Sequence, residues 1–264
     1  EIRLSLVGSE MCIRDSYWIM NKMINETKKR RYMLSASLKY DVTKWLNVTG
    51  RVKVDNADMD ITNKRYAGTD TNFAGEKGLY NIEKRNDRQI YADAIANVDL
   101  YFADDYHLTA NVGGSIKDVQ MDLMGWGGDL RKIPNFFSIT NISTTSYKER
   151  EDGSHVQSQS VFANVELSWK SMLYLTVTGR NDWESALAFS KYKSFFYPSV
   201  GLSAVISEMV ELPEWFSFLK LRASYSAVGS SYAAYLTKPY YNYKGQTHEW
   251  DSLHRFPNDD LKPE

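Results

Sequence analysis

Cysteine is almost missing from this 264-residue chain: Cys12 stands alone, so no internal disulfide forms. The histidines, His107, His155, His248 and His254, are scattered, without the i, i+4 spacing of a helical metal site. No metal and no cofactor are implied. Charge of one sign does not dominate, since 32 Lys and Arg face 33 Asp and Glu for a net charge of -1. Nucleic acid as a partner normally leaves a basic stripe, and none is present. Long apolar runs are lacking too: mean hydropathy is -0.47, and no stretch approaches the roughly eighteen apolar residues of a membrane helix. That excludes a helical membrane protein but not a membrane β-barrel, whose alternating strands vanish in hydropathy averages.

What is present is alternation. In "RRYMLSASLKYDV", Tyr32, Leu34, Ala36, Leu38 and Tyr40 fall on one face, and Met33, Ser35, Ser37, Lys39 and Asp41 on the other. Period-two patterning of this length means a strand between two very different environments. The pattern recurs in "WLNVTGRVKV", "IYADAIANVDLYF", "YHLTANVGGS", "SVFANVELSW", "LYLTVTGR", "YPSVGLSAVIS" and "FLKLRASYSAVG", about eight strands by this period. Their connections alternate short and long. Turns at Thr43, Asp104 and Ser171 are short, whereas Asn56 to Arg88, Ile116 to His155 and Asn181 to Ser194 read as long, irregular stretches.

Soluble β-sandwiches mix turn lengths at both ends; outer-membrane barrels put short turns on one rim and long loops on the other. Strand lengths also suit a tilted membrane crossing of about nine to eleven residues. Leu34, Leu38, Val48, Val52, Val98, Val165, Leu175, Leu202 and Leu221 are therefore expected toward lipid. Lys39, Arg51, Asp99, Glu166, Thr178 and Arg222 are expected toward a wet lumen. Aromatics near strand ends, among them Tyr32, Trp45, Phe102, Tyr106, Trp169 and Phe196, fit interfacial girdles.

Both ends read as truncations. Residue 1 is Glu, and "DDLKPE" stops within a polar stretch. "LSLVGSEMCIRDS" resembles a translated sequencing adapter, so residues 1–16 are expected to be non-native and are set aside.

"LYLTVTGRNDWESAL", "FFYPSVGLSAVISE" and "WFSFLKLRASYSAVGSS" resemble consecutive segments of the SusC/RagA family of TonB-linked outer-membrane transporters. "YWIMNKMINETKKRRYMLSASLKYDVTKWLNVTGRVKV" resembles an earlier barrel segment of that family. The run Arg180-Asn181-Asp182-Trp183 with Tyr197-Pro198-Ser199 carries the likeness most specifically; Ser224-Tyr225-Ser226-Ala227-Val228-Gly229-Ser230 departs from the family's usual wording. The resemblance implies an all-β fold: residues 17–264 as an open, up-and-down antiparallel fragment of a transmembrane barrel of about twenty-two strands. It also implies import of oligosaccharides or peptides across a Gram-negative outer membrane. The implied partners are a SusD-type surface lipoprotein, the TonB complex through a region N-terminal to this chain, and outer-membrane lipid.

No catalytic constellation is legible, and no enzyme activity is expected. "GWGGDL" lacks the Lys-Ser/Thr of a phosphate loop, and reads as an external loop presenting Trp126. Arg180, Asp182 and Trp183 either contact substrate or lid at the rim, or cap a strand whose turn Asn and Asp residues satisfy. In "PYYNYKGQTHEW", Tyr241 and Trp250 either stack on sugar rings or pack among themselves. Two other readings stay open: a small closed outer-membrane barrel enzyme, and a soluble carbohydrate-binding β-module. The first requires the strand at Tyr32 to pair with the strand at Leu221.

Overall fold

The computed structural model describes residues 16–210, 213, 217–229 and 233–237, and the backbone alone of 240–244 and 249–255. The expectations for residues 1–15 and for the polar end of the chain lie outside these residues. After a helical stretch at 16–22, the strands are β1 Met23–Asp41, β2 Leu46–Tyr66, β3 Gly78–Phe102, β4 Tyr106–Asp129 and β5 Lys148–Trp169. There follow β6 Leu173–Glu184, β7 Ser194–Val205, β8 Lys220–Ser226, β9 Tyr240–Lys244 and β10 Glu249–Arg255. The first eight form one antiparallel sheet in chain order, and β9 and β10 form a separate antiparallel hairpin. Among the described residues β8 does not pair with β1, so the sheet is open. The closed-barrel reading fails on that point.

Consecutive pairing fixes where connections lie, since each must return the chain to its neighbour. Two of the three tight ones use two successive left-handed residues: Ala103 and Asp104 at φ 49° and 54°, Lys170 and Ser171 at 51° and 58°. That backbone matches the twist of paired strands, which is why hairpins favour it. The neighbouring turns are tied together, the Lys170 N–H donating to the Asp105 carbonyl at 2.7 Å.

The expected irregular stretches are mostly strand. β2 runs on to Tyr66 and β3 starts at Gly78, leaving only 67–77 between them; β4 runs on to Asp129 and β5 starts at Lys148. The cause is that alternation reports one apolar and one polar surrounding. Where both faces are polar the strand persists on its backbone hydrogen bonds with no hydropathy signature. Side chains there pair across strands: Arg31 grips Asp55 through two bonds of 2.8 and 2.6 Å, Arg30 reaches Asp60 at 3.0 Å, and Asn86 donates to Asp58 at 2.5 Å.

The chain divides into two compact units. One contains Asp55–Arg88 and Gln120–Ser154, and its core is a folded loop cluster in which Ala74, Leu130 and Ile142 are buried. Asn141 is its staple. Its amide donates to the Ile133 and Phe136 carbonyls at 2.8 and 2.9 Å and accepts from the Lys132 and Ile133 N–H groups at 3.1 and 3.2 Å. Gly78, at φ +105°, opens β3 where an added Cβ would lie 2.5 Å from the Arg65 carbonyl oxygen.

The other unit contains Leu34–Val54, Gln89–Val119 and His155–Glu264. Directly opposed residues share a face, so the register sorts its side chains. Val165 opposes Val177, Leu167 opposes Leu175, Leu175 opposes Leu202, and Leu221 opposes Ala204. The other face has Glu166 against Thr176, Asn164 against Thr178, and Ser203 against Arg222. On β2 to β4, polar contacts Arg51–Asp93, Asn97–Asn47 and His107–Asp99 likewise gather on one side. The apolar face stays open: Leu34, Leu38, Val52, Val177, Leu202 and Leu221 are all exposed. A soluble β-module would cover such a face with a second layer, and none does among the described residues.

Candidate functional site

Polar side chains converge where β5, β6 and β7 leave the patterned region. Ser160 opposes Asp182, Phe162 opposes Arg180, Arg180 opposes Tyr197 and Asp182 opposes Phe195, so all six lie on the polar face. The Arg180 guanidinium donates to Asp182 at 2.7 Å and to the Ser160 hydroxyl at 2.9 Å. Its carbon lies 6.0 Å from the centre of the Phe162 ring, a cation–π distance. Phe195 and Tyr197 meet edge to face at 5.2 Å. Gly113 makes room for this cluster: an added Cβ would sit 2.9 Å from the Phe162 ring.

Arg180 is half-exposed, and its charge is matched by Asp182. The pair is neutral overall and offers hydrogen-bonding atoms, with aromatic edges beside it. Just beyond, Tyr192, Phe195, Tyr197 and Val228 line a depression of about 280 Å³. Among the described residues no cluster of His, Cys, Asp and Glu is arranged to hold a metal ion.

The sequence candidates do not all meet. Arg180 and Asp182 do. Trp183 opposes Gln159 and Ser194 and belongs to the other face, in line with Val177 and Leu175. Trp126 is not in a loop: it sits near the end of β4, at a depression of about 310 Å³ lined by Asn81, Glu83, Lys148 and Arg150. The glycines around it serve strand packing. An added Cβ at Gly125 would lie 3.1 Å from Glu83, and one at Gly127 would overlap Asn81. Tyr241 pairs with Leu253, and Trp250 with Tyr243, in the β9–β10 hairpin; these aromatics stand in strands. Phe162 and Phe195 are not singled out by the sequence, and Tyr197 only as part of the run that carries the family likeness, although strand parity places all three with Arg180.

The family model described as TonB dependent receptor-like, beta-barrel matches residues 12–264. A TonB-dependent receptor of Formosa agariphila is 26% identical over 215 residues, covering 78% of this chain and 21% of that protein. Among solved structures, the RagAB peptide transporter aligns with a TM-score of 0.82 at 18% identity, covering 94% of this chain and 28% of the matched chain. The RagAB peptide importer in its closed-closed state aligns with a TM-score of 0.79 at 18% identity, over 91% and 27% of the two chains. The chain thus spans about a fifth of the length of its curated relative.

Proposed function

Because the chain belongs to the TonB dependent receptor-like β-barrel family, we propose that residues 17–264 form part of the wall of an outer-membrane transporter. In this reading the apolar face of β5 to β8 meets lipid and the polar face lines the passage. The observation that carries it is the unbroken two-faced register of those four strands. A Lys or Arg facing lipid at mid-membrane costs roughly 2–4 kcal/mol, so the strict separation of charge suits a membrane wall.

The cargo is an oligosaccharide or a peptide, and the likeness in fold to a peptide transporter favours the peptide. Passage is gated and energy-coupled rather than covalent. A SusD-type surface lipoprotein closes the loop side, and the TonB complex supplies energy through parts of the protein outside this chain. The Arg180–Asp182 pair with Phe162, Phe195 and Tyr197 is the substrate-facing rim. Residues 1–16 are a non-native prefix; independent sequencing of the source locus should lack their codons, and finding them there would end that assignment.

The test is uptake of fluorescent oligopeptides and oligosaccharides by cells carrying the full-length protein in the outer membrane. Accumulation should appear for one class and stop when a protonophore collapses the inner-membrane gradient. Uptake of neither class, or uptake indifferent to the protonophore, refutes the proposal.

A further inference from the structure

We infer that the polar face of β7 and β8 holds an oxyanion site in which Lys220 and Arg222 bind a carboxylate. The hydroxyls of Ser199, Ser203 and Ser224 are its supporting donors. These residues border a depression of about 480 Å³ together with Glu166, Tyr174, Thr176 and Gly201. Register places the donors on one face, since Ser203 opposes Arg222, Gly201 opposes Ser224 and Ser199 opposes Ser226. Gly201 keeps the floor open: even its added Cβ would find nothing closer than 3.8 Å.

The charges of this depression are unbalanced. Its one carboxylate, Glu166, already accepts a bond from the Thr176 hydroxyl at 3.2 Å. Lys220 borders the depression with its ammonium 5.1 Å over the Tyr174 ring and has no carboxylate partner among the described residues. Arg222, exposed on β8, forms no hydrogen bond or ion pair among the described residues. The Ser203 hydroxyl oxygen is cut off from solvent, yet it too has no partner among them. A buried hydroxyl left unpaired is uncommon and is accounted for by strain, a water, an ion or a ligand; of the two such hydroxyls among the described residues, Ser203 and Ser207, it is Ser203 that borders this depression. A guanidinium fork with an adjacent ammonium and hydroxyls matches a carboxylate, which accepts two parallel bonds from arginine.

The carboxylate has two possible sources. One is an acidic side chain from polypeptide beyond these 264 residues, which the length of the matched transporter chain makes available. The other is a carboxylate-bearing solute. The geometry stands whether or not the protein imports peptides, and the test reads stability rather than transport.

Thermal unfolding of the full-length protein in detergent is followed at matched ionic strength in sodium chloride or sodium glutarate. If a solute fills the site, glutarate raises the Tm of the wild type. Arg222→Gln and Gly201→Leu then abolish that rise, and Glu166→Gln lowers the glutarate concentration required. If the polypeptide fills it, glutarate is without effect, Arg222→Gln lowers Tm in low salt more than in high salt, and Arg222→Lys restores much of the loss. Should Arg222→Gln not fold, Ser203→Ala, which keeps every charge, must reduce the glutarate rise or the low-salt Tm. Wild-type indifference to glutarate, with variants unfolding at the wild-type temperature in both salts, overturns the inference.

Discussion

Arg180 and Trp183 are near neighbours on β6 but face opposite surroundings, so their truncations should separate cleanly. Arg180→Ala removes an exposed donor and frees Asp182, leaving the apolar face untouched. Uptake is expected to need more substrate, with folding unchanged; normal half-saturation in the variant counts against the rim assignment. Trp183→Ala should do the reverse, keeping half-saturation while lowering the urea midpoint for unfolding from lipid vesicles. Asn141 tests the loop cluster. Its side chain serves two carbonyls and two N–H groups of one loop. Asn141→Ala strands buried polar atoms at about 1–3 kcal/mol. Hydrogen exchange across 130–147 should accelerate with little change in the strands, and unchanged exchange there would contradict the staple.

If the sheet is a membrane wall as proposed, the length of β6 sets the membrane thickness it fits. From Leu173 to Trp183 the rise is roughly ten residues at about 3.3 Å, ~33 Å along the strand. A tilt of about 40° reduces this to roughly 25 Å, the height of an outer-membrane apolar band. Leu175→Arg is therefore expected to cost roughly 2–4 kcal/mol in folding into phospholipid vesicles, while Thr178→Arg, on the polar face, stays within about 0.5 kcal/mol. Equal costs for the two would void the assignment of faces. This much was legible from sequence, because Leu175, Val177 and Leu202 alternate with Thr176, Thr178 and Ser203 between unlike media. The outer lengths of β2 to β5 were not: Asp58, Asp60, Lys84 and Asn86 on one face and Asp55, Arg85 and Asp87 on the other are polar alike, so hydropathy carries no period there. Trp126 was misread for a related reason. Glycines at 125, 127 and 128 look like a loop in sequence, but two of them clear space for Glu83 and Asn81 in a paired strand.

At the scale of the molecule, the sheet's two margins decide whether this stretch of chain can stand alone. β1 and β8 each have one partner among the described residues, and the side chains of both are exposed for nearly their whole length. In water such edges invite pairing with other chains; in lipid, unpaired N–H and C=O groups cost several kcal/mol each. Open apolar residues such as Leu34, Leu38 and Leu221 add an adhesive face to those edges. Residues 17–264 produced alone are therefore expected to aggregate, and to run at one position on SDS gels with or without boiling. The full-length protein should run faster unboiled, as a closed barrel resists detergent unfolding. A boiling-sensitive band from the isolated segment would show that β1 and β8 do find each other. It would restore the small closed barrel, and with it the barrel-enzyme reading.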